Sequence, residues 1–371
     1  MSDSQTIVLG NPDGNRVALF QDALQRLGRS PALVVPWAEW LGGRADLARV
    51  VTEGATFRLE SPGRDWPVER ALLALGADET GLSRRECEAL EFDKGRIWHP
   101  AQWYRGFCAA LRRIEEQLAA CPTHRRMNAP ADVAVMFDKR ACHARLDGDG
   151  VPVPPSLGPV HSYDELVGAM RRAHCRRVFV KLAHGSSASG VVAYQTDGER
   201  HQAATTVEMA EGPEELRLYN SRTVRTYRDH VQIARLMDAL CREGVQVERW
   251  LPKAGTQDLA FDLRVVVIGG RARHVVVRMS RTPMTNLHLL NRRGDTDLLR
   301  AQVGDDHWRA AMETCERAMQ SFPDSLYAGV DLLISPGSTR RAVLEVNAFG
   351  DLLPNVLSGG HDTYAAELLA L

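Results

Sequence analysis

Two apolar segments near the end of the chain, 331–334 and 343–347, are separated by a polar stretch that contains Gly337. Apolar runs of this length bounded by turn residues predict a β-hairpin. Because side chains alternate between the two faces of a strand, Glu345 and Asn347 must point to the same side. The sequence therefore predicts a C-terminal sheet with polar groups on one face of an otherwise apolar hairpin.

Asp331 lies in the first of these two segments. In the hairpin its carboxylate would join the carboxylate of Glu345 and the amide of Asn347. Oxygen ligands of this kind suit Mg²⁺ that carries nucleotide phosphates. A half-buried hairpin whose polar side chains face water explains the same pattern, so the hairpin alone leaves both interpretations open.

The composition is that of an ordinary globular protein. The chain has 371 residues, 44% hydrophobic and 25% charged, which is enough for two or three domains. Its 46 basic and 47 acidic residues nearly cancel, so neither a nucleic acid nor a membrane surface is an expected partner. No apolar run is long enough to span a bilayer, and no secretory signal is expected. Seven dispersed cysteines without a CxxC pair predict reduced thiols and a cytoplasmic protein.

Lysine is scarce in this chain. Only four of the 46 basic residues are lysine, and all the others are arginine. The four are Lys94, Lys139, Lys181 and Lys253. Since arginine supplies the general surface charge, a lysine inside an apolar segment is a candidate for a specific role, because its compact charge is not reproduced by a flat guanidinium.

The chain opens with alternating strand and helix patterns. Residues 6–10 and 32–35 are short apolar runs that predict strands, and residues 16–28 have helical spacing between them. A β-α-β unit of this kind implies a parallel sheet. The loop after the first strand has no GxGxxG sequence, which argues against dinucleotide binding there.

Two later regions give clear secondary-structure signals. Residues 262–268 and 272–279 flank Gly269-Gly270, a strong hairpin turn. The stretch 220–242 has helix-like spacing and predicts one long helix.

The loop 185–190 is rich in glycine and serine and connects two predicted strands, 177–182 and 191–194. It lacks the Gly-Lys-Ser/Thr order of a Walker loop. The backbone N–H groups and hydroxyls of such a hairpin can still fold over phosphates, within reach of Lys181. A solvent-exposed hairpin with a snorkelling lysine is the alternative. The glycine and serine density of the loop and the scarcity of lysine favour phosphate binding.

Several further motifs follow one another in a characteristic order. They are Phe137-Asp138-Lys139 with Val151-Pro152-Val153-Pro154, then Val247-Glu248-Arg249-Trp250-Leu251, Asp262-Leu263-Arg264 with Gly269-Gly270, and Arg278 with Thr285-Asn286-Leu287-His288. Their order and spacing resemble the ATP-grasp superfamily, in particular its carboxylate–amine ligases of the glutathione-synthetase and ribosomal-protein glutamate ligase type.

The resemblance covers residues 138–355 and implies a mixed α/β (α+β) architecture. A Rossmann-like domain of the kind that precedes an ATP-grasp fold would occupy residues 1–128. An ATP-grasp N-lobe with the phosphate loop would occupy 129–250. A C-lobe with the Mg²⁺ site and the substrate loop would occupy 251–371.

The resemblance also implies a role for each matching residue. The ATP-binding residues would be Lys139, Lys181, Gly185, Ser186, Ser187, Ser189, Gly190, Glu248, Arg249, Trp250, Leu251 and Asp262. Asp331, Glu345 and Asn347 would hold Mg²⁺, with two ions expected and Mn²⁺ as an alternative. Arg264, Arg278 and Asn286 would act in catalysis. The two arginines would hold the transferred phosphoryl group or the carboxylate, since a guanidinium pairs with either.

The implied reaction uses ATP to convert a carboxylate into an acyl-phosphate, which an amine then attacks. Both substrates would be small molecules or peptides, and a homodimer is compatible with this reading. Three alternatives stay open: a ligase that forms amide or ester crosslinks in a ribosomally made peptide, an ATP-grasp kinase, and a nucleotide-binding scaffold. The intact acidic triad argues against the scaffold. Segments 288–294 and 349–355 depart from the common family pattern. Both flank the expected substrate position, so the resemblance says least about the identity of the substrate.

Overall fold

The computed structural model describes residues 5–63, 65–186, 188–212, 216–256 and 258–371. Ser187, one of the predicted phosphate-loop residues, lies outside these ranges. Among the described helices, none has both the length and the apolar character needed to cross a bilayer.

The N-terminal part of the chain forms a four-stranded parallel sheet in the order β2-β1-β3-β4. Its strands are β1 (Thr6–Gly10), β2 (Leu33–Pro36), β3 (Thr56–Leu59) and β4 (Arg125–Arg126). The accompanying helices are α1 (Asn15–Arg26), α2 (Trp37–Leu41), α3 (Trp66–Leu75), α4 (Arg84–Ala89) and α5 (Pro100–Ala119). The β-α-β prediction for the start of the chain is confirmed.

A second sheet follows after three helices, α6 (Pro130–Phe137), α7 (Lys139–Gly148) and α8 (Tyr163–Arg172). Its strands are β5 (Arg177–Leu182), β6 (Val191–Thr196), β7 (His201–Glu211), β8 (Leu216–Tyr227) and β9 (Val245–Arg249), with α9 (His230–Arg242) before the last. The sheet is antiparallel in the order β8-β7-β6-β5-β9. Leu166 of α8 and Ile233 of α9 are fully buried in the core that covers one of its faces.

The prediction of one long helix over 220–242 is wrong for its first part. Residues up to Tyr227 belong to β8, which pairs with β7 through a register shift near Thr205, and the helix begins only at His230, after the N-cap Asp229. The local spacing of apolar residues fits a helix or an exposed edge strand. Pairing with β7 makes this stretch a strand, because the cross-strand pairs supply hydrogen-bond partners for its backbone.

The third sheet is antiparallel in the order β13-β12-β11-β14-β15, with β10 beside β11. Its strands are β10 (Gly255–Thr256), β11 (Leu259–Ile268), β12 (Arg271–Ser280), β13 (Arg292–Gly294), β14 (Tyr327–Ile334) and β15 (Arg341–Asn347). The helices of this region are α10 (Thr296–Val303), α11 (Asp305–Gln320) and α12 (Thr363–Leu369). Both predicted hairpins, about Gly269-Gly270 and about Gly337, are present.

One face of the third sheet belongs to the main hydrophobic core. Along β11, the side chains of Leu263, Val265 and Val267 are fully buried in a cluster with Ala311 and Cys315 of α11. Strand alternation therefore directs the intervening residues of β11 to the opposite face. That opposite face carries the charged groups described below.

A fully buried arginine links the N-terminal domain to the C-terminal residues. Arg58 on β3 donates from Nη2 to Asp351 (2.6 Å) and to Glu60 (3.0 Å), and from Nη1 to Glu367 on α12 (2.6 Å). Burial raises the pKa of Glu367 well above its ordinary value, although Arg58 opposes the rise. The folded state therefore binds this proton more tightly than the unfolded chain does. As the pH rises above the usual glutamate range, the free energy of unfolding should fall.

Glu367→Gln should remove this pH dependence. The amide keeps an oxygen for Arg58 but has no proton to lose, so we expect the melting temperature to exceed that of the unmodified protein at pH 8 and to match it near pH 5. Thermal unfolding across this pH range measures the difference. Glu88→Gln, at a side chain that is 64% exposed, is the control. Equal melting curves for Glu367→Gln and the unmodified protein at pH 8 would contradict a raised pKa of Glu367.

Candidate active site

A cleft of about 650 Å³ lies between the second and third sheets, with the N-terminal domain at one side. It contains nearly all of the residues that the sequence predicted to act together. These are Lys139, Lys181, Gly185, Ser186, Ser189, Glu248, Arg249, Leu251, Asp262, Arg264, Arg278, Asn286, Asp331, Glu345 and Asn347. Its volume is typical of a pocket for a small-molecule ligand.

Strand register brings the charged residues of the third sheet together. Asp262 on β11 is opposite Arg278 on β12. Arg264, two residues further along β11, is opposite Asp331 on β14, which in turn is opposite Glu345 on β15. Directly opposed residues in an antiparallel sheet share a face, so segments up to 83 residues apart in sequence form one charged surface.

Two buried aspartates bind Arg264 and Arg278, the arginines that were predicted to act in catalysis. Arg264 donates to both oxygens of Asp331 (2.5 and 3.1 Å). Arg278 bridges the two aspartates, from Nε to Asp262 (2.7 Å) and from Nη1 to Asp331 (3.2 Å). Burial raises the pKa of Asp262, but Arg278 and Lys253 outweigh it and hold that pKa well below its usual range.

Lys253 lines the cleft, although no motif in the sequence predicts a role for it and only the rarity of lysine marks it. It lies in the linker after β9, and its Nζ donates to Asp262 (2.8 Å), Thr285 (2.8 Å) and the carbonyl of Pro283 (3.3 Å). Lys253 therefore ties the predicted substrate loop to the sheet. Asp262, predicted as a nucleotide contact, has its oxygens occupied by Lys253, Arg278 and Thr285. The scarcity of lysine was the signal that could have identified this position.

The three predicted metal ligands lie together on the hairpin of β14 and β15 and line the cleft. Asn347 donates from Nδ2 to the carbonyl of Gly329 (3.2 Å), which leaves its Oδ1 as the atom for a cation. Glu345 has Lys139 at 3.7 Å, whereas both oxygens of Asp331 already accept from arginines. Within the described residues, no group of three or more His, Cys, Asp or Glu side chains forms a metal site by itself. Two carboxylates and one amide oxygen nevertheless fit Mg²⁺ by donor type.

Gly185, Ser186 and Ser189 of the predicted phosphate loop also line the cleft, together with Lys139 and Lys181. Lys139, the first residue of α7, donates from Nζ to the carbonyl of Gly185 (2.5 Å). Lys181, at the end of β5, pairs with Glu248 at 2.8 Å, and both side chains are buried. Burial alone lowers the pKa of Lys181, but the carboxylates of Glu248, Glu345 and Asp331 together outweigh it and raise the pKa. Lys181 is therefore a fixed positive charge at the base of the loop.

Two predicted nucleotide-binding residues are not among the described residues that line the cleft. Gly190 is buried where β6 begins, and Trp250 packs its ring against Phe179 at 5.2 Å between centroids. The N–H groups of Arg249 and Trp250 already donate to the carbonyls of Pro155 and Arg177. Phe179 itself lines the cleft, so Trp250 acts on the site by supporting that ring.

The loop histidines have different surroundings. His184 stacks on Tyr104 at 4.0 Å and contacts Asp138 through Nε2 at 3.1 Å. Burial raises the pKa of Asp138, but the contact with His184 outweighs it and lowers that pKa to about 2. His184 thus helps to fix the N-terminus of α7, which begins with Lys139. His288 lines the cleft beside Asn286.

The fold of the whole chain is similar to that of several solved structures. D-cycloserine synthetase DcsG is 15% identical, with a TM-score of 0.56 over 99% of both chains. N5-carboxyaminoimidazole synthase from Aspergillus clavatus, in complex with ADP, is 11% identical, with a TM-score of 0.54 over 100% of this chain and 77% of that chain. The macrocyclase MdnC from Microcystis aeruginosa, bound to its precursor peptide MdnA, is 11% identical, with a TM-score of 0.53 over 98% and 97% of the two chains.

The chain has the ATP-grasp fold. The predicted fold class is confirmed along nearly the whole chain. No family model matches the sequence, and no curated protein matches it. At 11–15% identity, the similarity establishes the ATP-grasp fold. It does not assign the activity of any of the three proteins to this chain.

Proposed function

We propose that this ATP-grasp protein is a ligase that uses ATP and Mg²⁺ to join a carboxylate to an amine. The observation that carries the proposal is the cleft. It is lined both by Lys139 and Lys181, with Gly185, Ser186 and Ser189 of the loop between β5 and β6, and by Asp331, Glu345 and Asn347. Cations and oxygen donors that line one cleft are what a Mg²⁺-bound triphosphate requires.

The residues of the cleft support a two-stage reaction. A carboxylate oxygen attacks the γ-phosphorus of ATP, which forms an acyl-phosphate and releases ADP. An amine then attacks the acyl carbon, and phosphate leaves as the amide forms. Mg²⁺ would neutralise charge on the phosphate oxygens during the first stage. Lys181 and Lys139 orient the phosphates, and the Gly/Ser loop above them excludes water that would hydrolyse the acyl-phosphate.

The proposal also includes the number and kind of metal ions, the class of substrate and the location of the protein in the cell. Asp331, Glu345 and Asn347 would hold two Mg²⁺ ions, and Mn²⁺ would be an alternative metal. The carboxylate and the amine are carried by small molecules or peptides. The protein works in the cytoplasm, in keeping with its seven cysteines, which form no disulfide in the described structure.

An ADP-release screen tests the proposal. Amino acids and dipeptides are supplied with ATP and Mg²⁺, and products are identified by mass spectrometry. A ligase yields ADP, inorganic phosphate and a condensed product. A phosphorylated substrate without condensation would replace the ligase with a kinase. Failure to bind Mg²⁺·ADP in a calorimetric titration would overturn the nucleotide assignment itself.

A further inference from the structure

One wall of the cleft comes from the N-terminal domain, through Arg16 on α1 and the residues Ser61 and Gly63 after β3. Arg16 is held in place from two directions. Its Nη1 donates to Asp351 (2.7 Å), and its Nη2 donates to the carbonyl of Phe349 (2.5 Å). The other oxygen of Asp351 accepts from the buried Arg58 (2.6 Å), so a rigid interior network orients the guanidinium.

Three arginines line the cleft near the hairpin of β14 and β15, which carries the predicted metal ligands and is called the metal hairpin below. They differ in how their N–H donors are used. Arg278 is buried and is committed to Asp262 and Asp331. Arg264 directs Nε and Nη2 to Asp331 and Nη1 to the carbonyl of Gly350 (3.4 Å). A guanidinium has five N–H donors, and the hydrogen bonds of Arg16 to Asp351 and Phe349 use two of them. Arg16, whose side chain is 22% exposed and lines the cleft, therefore has three N–H donors beyond these two hydrogen bonds, with Glu60 at 3.5 Å from Nη1.

Arg16 also lies close to the predicted reaction centre. Arg16 and Arg264 bind the carbonyls of consecutive residues, Phe349 and Gly350, whose Cα atoms are about 3.8 Å apart. The N–H of Gly350 donates in turn to the carbonyl of Asn347. Arg16 and Arg264 therefore contact the same short segment directly after β15, and both line the cleft.

The charges around Arg16 allow an anion to approach. Arg16 and Arg58 face the carboxylates of Asp351 and Glu60, the latter 3.5 Å from Arg16. Burial raises the pKa of the third carboxyl, Glu367, well above its ordinary value, which favours the neutral form of that group. The two other carboxylates, Asp351 and Glu60, face two positive charges, those of Arg16 and Arg58.

From this geometry we propose that Arg16 binds the carboxylate substrate, so that the N-terminal domain selects the acyl donor. This inference rests on the ligase function proposed above. It also assigns different tasks to the arginines. Arg264 and Arg278 set the shape and charge of the metal side through the two aspartates, and Arg16 supplies the planar fork that recognises a carboxylate.

Arg16→Met and Arg16→Lys test this assignment. Binding of acetate, succinate, glutarate, L-aspartate and L-glutamate to the Mg²⁺·ADP-loaded protein is measured by titration calorimetry. We expect at least one of these carboxylates to bind the unmodified protein, and its affinity to fall about 10-fold or more in Arg16→Met. Arg16→Lys should recover part of the loss, because it restores the charge without the fork. Arg49→Met, at a side chain that is 86% exposed and outside the cleft, should bind as the unmodified protein does.

The Mg²⁺·ADP affinity separates the possible failures. It should stay unchanged in Arg16→Met, since the nucleotide residues are on other elements. A loss of Mg²⁺·ADP binding in every protein would reject the proposed function. Intact Mg²⁺·ADP binding with equal carboxylate affinity in Arg16→Met, or with no binding of any of the five carboxylates to the unmodified protein, would overturn the role of Arg16. Once a substrate is known, Arg16→Met should raise the KM for the carboxylate and leave the KM for ATP unchanged.

Discussion

Glu345→Gln is expected to lower ATP-dependent ADP release by about 100-fold or more, a loss typical of removing one charged contact from a transition state. Glu345 is the accessible carboxylate of the metal hairpin, with Lys139 as an ion-pair partner at 3.7 Å, whereas Asp331 is already bound by two arginines. The substitution removes one negative charge and keeps the size of the side chain. The Mg²⁺ concentration needed for half-maximal ADP release should rise in parallel.

The fold should tolerate this change. The side chain of Glu345 is 26% exposed and its pair with Lys139 is long, at 3.7 Å, so we expect this pair to contribute little to stability. Thermal unfolding of Glu345→Gln should therefore match that of Glu313→Gln, a control at an exposed position of α11. Full ADP release by Glu345→Gln, at the usual Mg²⁺ requirement, would remove Glu345 from the metal site.

Gly106→Ala is expected to destabilise the protein by about 3 kcal/mol, at the upper end of the usual cost of overpacking. Gly106 lies on α5 where that helix crosses α3. A Cβ atom there would lie 1.8 Å from the carbonyl oxygen of Leu72 and 2.9 Å from the nitrogen of Gly76. Both are backbone atoms, so the new methyl group fits only if the two helices separate. Urea unfolding measures the loss.

Gly168→Ala provides the matched control within helix α8. A Cβ at this position would meet only the end of the flexible Arg172 side chain, at 3.4 Å. Because alanine restricts the unfolded chain more than glycine does, we expect a gain of about 0.5–1 kcal/mol. If Gly106→Ala were as stable as Gly168→Ala, the close contact between α3 and α5 would be wrong.

The residues of the site were largely predictable where a local pattern carried them. The glycine and serine content of the loop after β5, the isolated lysines at 139 and 181, and the alternation of Glu345 and Asn347 are all local properties of the chain. The cleft contains each of these lysines and both hairpin residues. The roles assigned to them remain predictions for the experiments above.

Other features depended on distant partners and could not be predicted locally. The stretch that begins at residue 220 was expected to be helical, and its pairing with β7 makes its first part a strand. Arg264 and Arg278 were expected to hold the transferred phosphoryl group or the carboxylate, and only the strand register shows that Asp331 and Asp262 lie opposite them. Arg16 was not a candidate, because its position in the cleft follows from packing of the first domain against the segment after β15.

The sequence by itself determined the kinds of element and the polar groups along each of them, because strand alternation, turn residues and helix spacing are set by neighbours a few positions apart. The tertiary structure alone decided which charged groups meet. Cross-strand register and domain packing join residues hundreds of positions apart, as in the contact between Arg16 and Asp351. Those contacts determine which N–H donors of each arginine are used inside the protein, even where the side chain lines the cleft.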